Sequence, residues 1–191
     1  MSSELSSTPG EKAEKPRPAR ERILDVAGPL FWAEGYRAIG VDRVIAESGV
    51  AKATFYKHFP SKDDLMVAWV EAAEAMAEAS APPVRGAAPL TDYARAMIRI
   101  ARGPVCHGCT WQGSAAEFRD PAHPVHKAAA AVKRRRLVDL QARAEAQGLA
   151  DPQAAAERVF LLLEGVWAAV RMFGPEAPLA EAEAAVDMLT G

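Results

Sequence analysis

Three glycines, Gly35, Gly40 and Gly49, set the tightest limits on how this chain can fold. They punctuate a stretch whose apolar residues keep helical time. Ile23, Ala27, Leu30 and Phe31 recur at i, i+4, i+7 and i+8, one face of a helix beginning near Arg20. Gly35 ends that helix, as a glycine just past the last turn commonly does. Gly40 is an acceptable N-cap for a second, short helix with Val41, Val44 and Ile45 on its inner face. Gly49 breaks the chain again, and a third helix runs from about Ala51 to His58. Three helices in so short a span, two of them joined by a glycine turn, form a helix-turn-helix pattern.

The rest of the chain continues in helices. Its 191 residues are 50% hydrophobic, 25% charged and only 7% aromatic. Alanine, leucine, glutamate and arginine are plentiful, which favours helix, and alternating strand-type runs are nearly absent. An all-α protein is expected. Ser61 restarts the helix, with Asp64 three residues on in the manner of a capping box. Leu65, Trp69, Ala72 and Met76 form the apolar stripe of this long fourth helix. The proline-rich run at 80–89 reads as a loop. Further helices are expected at about 90–102, 109–118, 124–147, 152–173 and 178–189. The predicted organisation is a flexible arm at 1–19, a helix-turn-helix domain at 20–64 and a helical body at 65–191, joined by the fourth helix.

The segment "VAKATFYKHFPSKDDL", 50–65, carries an unusual density of cations and hydroxyls. A recognition helix needs one face packed and one free for the major groove. Val50, Phe55 and Phe59 suit the packed face, and Lys52, Ala53 and Lys57 are left facing out. A small residue such as Ala53 lets the backbone approach bases and can touch a thymine methyl. Lys52 could reach guanine or a phosphate. Residues 20–71 as a whole resemble, without a gap, the DNA-binding domain of the TetR family of bacterial transcriptional regulators. The likeness rests on Ile23, Ala27, Leu30, Phe31 and Gly35, then Ile45-Ala46, Gly49-Val50, Thr54, Tyr56, His58-Phe59, Ser61-Lys62 and Leu65. Gly40 departs from it, standing where the family usually has threonine or serine.

The resemblance implies a double-stranded DNA operator, a small-molecule effector that releases it, and phosphate contacts from Thr54, Tyr56, His58 and Lys62. Lys62 sits in the first turn of a helix, where the amides carry positive partial charge suited to phosphate. Arg17, Arg20 and Arg22 read either as a clamp on flanking phosphate or as a solvated tail. The run Lys133 to Arg136, mid-helix, reads as a solvated face with Leu137 and Leu140 inward.

The body is less legible. Net charge is −2, with residues 1–62 at +2 and the remainder at −4, a mildly basic head on an acidic body. The stretch "GCTWQGSAAEFRDPAHPVH", 108–126, is similar to one subgroup of the family. The 152–173 segment is apolar on nearly every side, so it must be covered on nearly every side. A homodimer packed through the 152–173 and 178–189 helices would cover it; a central core helix of a monomer is the alternative. Candidate ligand-binding residues are Trp69, Met97, Trp111, Phe118, Phe160 and Trp167, with Glu117 and Glu164 as polar anchors that would favour a cationic ligand.

No catalytic constellation stands out, and no enzyme activity, cofactor or metal is expected. Cys106 and Cys109 form a C-x-x-C pair, which in principle could sense thiol chemistry or bind metal. There is no second cysteine cluster to complete a zinc site, and no βαβ context for a redox enzyme. A thiol- or metal-sensing repressor stays as the alternative to a ligand-released one. With no signal-like or membrane-spanning segment, the chain is expected in the cytoplasm.

Overall fold

The computed structural model describes residues 17–80, 89–104 and 106–191. Most of the arm expected at 1–19 and of the loop expected at 80–89 lies outside them. Among the described residues there are nine α-helices, one 3-10 turn at Gly174–Glu176, and no strand. The helices are α1 (Ala19–Glu34), α2 (Val41–Ser48), α3 (Lys52–His58), α4 (Lys62–Ser80), α5 (Leu90–Ala101), α6 (Thr110–Glu117), α7 (Pro124–Gln147), α8 (Pro152–Phe173) and α9 (Leu179–Thr190).

The punctuation works as the sequence suggests. Gly35 follows α1 at φ 93° and Gly49 follows α2 at φ 63°, both in the region that favours glycine. Gly40 caps α2 in extended conformation without a side-chain hydrogen bond. Ser61 and Asp64 form a reciprocal capping box. The Ser61 amide donates to Asp64 Oδ2 at 2.9 Å, and the Asp64 amide donates to Ser61 Oγ at 3.1 Å. Asp151 caps α8 by accepting from the Ala154 amide at 3.0 Å, with Pro152 at the first helical position.

α1 holds a surprise. Gly28 and Pro29 lie inside it, and the helix continues through both. Gly28 is buried, and a Cβ there would fall 2.3 Å from the Trp69 ring. Trp69 of α4 thus lies directly on the α1 backbone.

Two cores form. The first joins Ile23, Ala27 and Phe31 of α1, Val44 of α2, Phe55 of α3 and Phe59 to Leu65, Met66, Trp69 and Val70 of α4. It also takes in Phe118 and, from α7, Val125, Ala129 and Val132. The second gathers α5, the C-terminal half of α7, α8 and α9 around Leu90, Ile98, Leu140, Val159, Leu163 and Val186. Along α4 the buried stripe differs from the one expected. Beyond Trp69 it passes to Val70 and Ala73, and Met76 is 49% exposed.

α8 buries Ala155, Ala156, Val159, Leu163, Val166 and Val170. Its opposite side faces out: Leu161 is 68% and Met172 73% exposed, as is Met188 of α9 at 78%. The helix apolar all round is therefore covered on one side only within the chain.

Candidate nucleic-acid interface and interior cavity

α3 is short, with lysine and histidine in its last turn, and packing alone fixes its orientation. Val50, Phe55 and Phe59 are buried in the first core, with the Phe55 and Phe59 rings 5.9 Å apart. Lys52, Ala53, Lys57 and His58 are exposed, Tyr56 is 44% exposed against the edge of Phe55, and Thr54 is half-buried. Lys52 pairs with Asp42 at 3.3 Å on the surface, an ion pair of little energetic weight. No ion pair engages Lys57 among the described residues. Lys62 is half-buried and donates to the Arg37 carbonyl at 3.1 Å. Burial pushes its ammonium below the usual lysine range, partly offset by the charges of Glu117 and Asp63.

The three N-terminal arginines have structural partners. Arg22 donates to the carbonyls of Ser48 at 2.6 Å and Gly49 at 2.9 Å, closing the C-terminal end of α2. Arg17 pairs with Asp25, and Arg20 lies 5.5 Å from the Phe59 ring centroid. Arg22 in particular is neither a free clamp nor a solvated tail.

An interior cavity of about 320 Å³ opens between α4, α5, α6, α7 and α8, with Trp32 of α1 at its wall. Of the eight candidate ligand residues, Met97, Trp111, Phe160, Glu164 and Trp167 line it. The other three do not. Trp69 is held against Gly28 in the first core. Phe118 stacks on His123 at 4.4 Å and under Arg37 at 4.9 Å. Glu117 accepts from the Tyr36 and Arg37 amides, both at 2.9 Å. All three serve the junction between the helix-turn-helix and the body.

Sequence reasoning missed the cavity's polar wall. Lys133 and Arg136 line it, together with Tyr93, Trp32 and Cys106. The run 133–136 is thus not simply a solvated face: Arg134 and Arg135 are exposed, whereas Lys133 and Arg136 turn inward. The signal was available, because positions 133, 136, 137 and 140 share one helical face with the inward leucines.

The cysteine segment is tied to α1 and α8 through its backbone. Gly108 adopts φ 86°, and a Cβ there would sit tightly, 3.0 Å from the Trp167 carbonyl oxygen and 3.1 Å from Arg171. Its carbonyl accepts from Trp32 Nε1 at 3.0 Å, and the Cys109 carbonyl accepts from Arg171 at 2.6 Å. Both cysteines are free; Cys109 is buried, and burial pushes the Cys106 thiol above the ordinary range. Among the described residues no cluster of histidine, cysteine and carboxylate groups could hold a metal ion, and no helix is long and apolar enough to cross a membrane.

Several contacts tie the cavity to the helix-turn-helix. Trp111 Nε1 donates to the Val70 carbonyl of α4 at 3.0 Å. Trp32 joins α1 to the 106–109 bend, and Glu117, at the other end of the helix that bears Trp111, holds the 35–37 turn.

Comparison with known proteins matches this architecture. The pattern of bacterial regulatory proteins of the tetR family fits residues 23–69. The HTH-type transcriptional regulator LmrA of Bacillus subtilis (strain 168) is 38% identical over 60 residues, 31% of each chain. The matched segment thus spans less than a third of that relative's length. A TetR-family transcriptional regulator from Streptomyces coelicolor superposes at TM-score 0.80 with 34% identity, over 90% of this chain and 94% of its own. A putative TetR regulator from Streptomyces avermitilis superposes at TM-score 0.71 with 27% identity, over 90% of this chain and 99% of its own. A packed helix-turn-helix with α3 outward, together with likeness to the Streptomyces coelicolor regulator along nearly the whole length, establishes that the chain belongs to the TetR family of transcriptional regulators and is a DNA-binding regulator, not an enzyme.

Proposed function

We propose that the protein is a homodimeric repressor acting in the cytoplasm, bound to a palindromic operator and released by a small molecule in the interior cavity. The observation that carries this is the siting of the cavity. Trp32 and Trp111 line it, and the same two side chains hold α1 and α4. A ligand that shifts either indole shifts the element bearing α3. In a dimer the two α3 helices must lie about 34–36 Å apart to enter successive major grooves. Release then needs only that the ligand prefer the other spacing.

In this reading residues 20–64 bind DNA and 65–191 form the ligand-binding and dimerising body. Lys52, Ala53 and Lys57 face bases or backbone, while Thr54, Tyr56, His58 and Lys62 grip phosphate, fixing register without reading sequence. The apolar outer face of α8 and α9, with Leu161, Met172 and Met188 exposed, supports an isologous helix-on-helix contact. A body that only dimerises and binds ligand represses by blocking.

The test is selection of genomic DNA fragments by the purified protein, followed by binding at several salt concentrations. A palindromic site is expected. Lys57→Ala should weaken binding and reduce the slope of log K against log salt by about one. Salt-independent binding, or no selected site, would refute the reading.

A further inference from the structure

Glu164, taken alone, suggests a cationic ligand; its surroundings reverse that sign. The carboxylate is already matched. Lys133 Nζ pairs with Glu164 Oε1, and Gln112 Nε2 donates to Oε2 at 2.8 Å. The side chains of Lys133 and Glu164 are 19% and 24% exposed, so the pair is well shielded. Arg136, on the same face of α7, has no such match. Its Nη1 donates to the Tyr93 hydroxyl at 2.6 Å, and no carboxylate among the described residues pairs with it. The nearby Asp139 is taken by Arg143 at 2.9 Å. With Lys133 and Glu164 cancelling, the described residues of the cavity wall carry one uncompensated positive charge, that of Arg136.

A half-buried cation without a counter-charge is poorly solvated, and an anion placed against it relieves that cost. The guanidinium is a planar fork of five N–H donors, suited to a carboxylate. Among the described residues its one hydrogen-bond partner is the Tyr93 hydroxyl, through Nη1. The lining is otherwise largely apolar and aromatic, with Met97, Trp111, Phe160 and Trp167, and the paired Lys133 Nζ lies 5.6 Å from the Trp111 and 5.9 Å from the Phe160 ring centroid. A volume of about 320 Å³ admits a small organic molecule.

We propose that the cavity binds an aromatic carboxylic acid as its monoanion, with the carboxylate on Arg136 and the ring among Trp111, Phe160 and Trp167. This rests on reading the cavity as the effector site, and it sets the charge of the effector. Glu164 is then not the ligand's anchor but the group that keeps Lys133 neutralised and leaves Arg136 as the single anion-seeking charge.

The experiment uses the full-length protein and three probes of one shape: 2-naphthoate, 2-naphthamide and 2-naphthylmethylammonium. Binding is followed by tryptophan fluorescence, and operator release is measured in parallel. 2-Naphthoate should bind at least about tenfold tighter than either of the others, the scale of one charge-assisted hydrogen bond. Arg136→Gln should erase that preference while leaving the amide's affinity unchanged, and Arg136→Lys should restore part of it. The charge series on the unmodified protein decides the matter even if a variant fails to fold. Equal or tighter binding of the amide or the ammonium overturns the proposal, as does failure of all three to bind. If the amide or ammonium binds best and releases DNA, the cavity is still the effector site and only the charge assignment falls. If 2-naphthoate binds with the expected preference and DNA stays bound, the charge assignment stands and ligand-driven release falls.

Discussion

Gly28 offers the most direct test of how the helix-turn-helix is joined to α4. Glycine inside a helix costs about 1 kcal/mol relative to alanine, so a buried mid-helix glycine needs a reason. The reason is Trp69. A Cβ at Gly28 would lie 2.3, 2.4 and 2.6 Å from three ring carbons of that indole, where ordinary contact is about 3.5–4 Å. The ring is 7% exposed and enclosed by the first core, so it must be displaced by about an ångström into packed neighbours. Overpacking of this kind costs about 1–3 kcal/mol or more, against which the helix gains about 1 kcal/mol in propensity. Gly28→Ala should therefore destabilise by up to about 2 kcal/mol, lowering the melting temperature by as much as roughly 8 °C for a chain of this size. The cycle is completed by Trp69→Leu, which removes the obstructing ring. In that background Gly28→Ala should cost at least about 1 kcal/mol less, because the ring is gone and only the helix propensity of alanine and its crowding against Pro29 remain. Circular dichroism melts at 222 nm of the four proteins, at one fixed concentration so that self-association cannot confound them, supply the numbers. If Gly28→Ala costs the same in the Trp69→Leu background as in the unmodified protein, the contact is not what requires the glycine.

Other consequences can be measured with the same material. Glu117→Gln removes the charge from the carboxylate that accepts from Tyr36 and Arg37; about 1 kcal/mol should be lost in urea unfolding, and an unchanged midpoint would show that the turn holds itself. Gly40→Ser places a hydroxyl at the N-cap of α2, where the backbone is extended and a Cβ meets nothing within 4 Å; a gain of about 0.5 kcal/mol is expected, and a loss would contradict the open space seen there. Cys106 has a folded-state pKa raised by burial, so its thiolate fraction at pH 8 is below that of a free cysteine. Alkylation by iodoacetamide should accordingly be slower than that of a small thiol and should keep accelerating at higher pH. Faster alkylation than the free thiol would favour the thiol-sensing alternative.

The legible parts of this molecule were those in which local chemistry decides. The glycines that end α1 and α2, the Ser61–Asp64 box and the Asp151-Pro152 start each depend on a few neighbouring residues, and the structure has them as read. The packed face of α3 followed from period alone. What escaped was set by partners distant in sequence. Nothing near Glu117 announces that its carboxylate is spent on amides some eighty positions earlier. Trp69 is a large aromatic and reads as a ligand-binding candidate, yet its ring turns back onto Gly28 of α1. The basic run on α7 was misjudged for a different reason: four consecutive charges look like surface, although a helix distributes them over more than one face. Glu164 lines the cavity as expected, but its partner Lys133 comes from another helix and could not be read from its neighbours.

The first core bears on how regulators of this kind could be recombined. DNA recognition is assigned to residues before 65, but Leu65, Met66 and Val70 are sealed among Ile23, Phe31, Phe55 and Phe59. Phe118, Val125, Ala129 and Val132 close the same interior from the side of the body. A chimera spliced at residue 64, taking its reading head from one relative and its sensor from another, would bring together half-interiors shaped by separate histories. Its seam would run through packed side chains rather than along a surface. Exchange of operator specificity should therefore succeed when only the outward residues of α3 are grafted, and misfold when the whole head is transplanted without the part of α4 and α7 that it leans on.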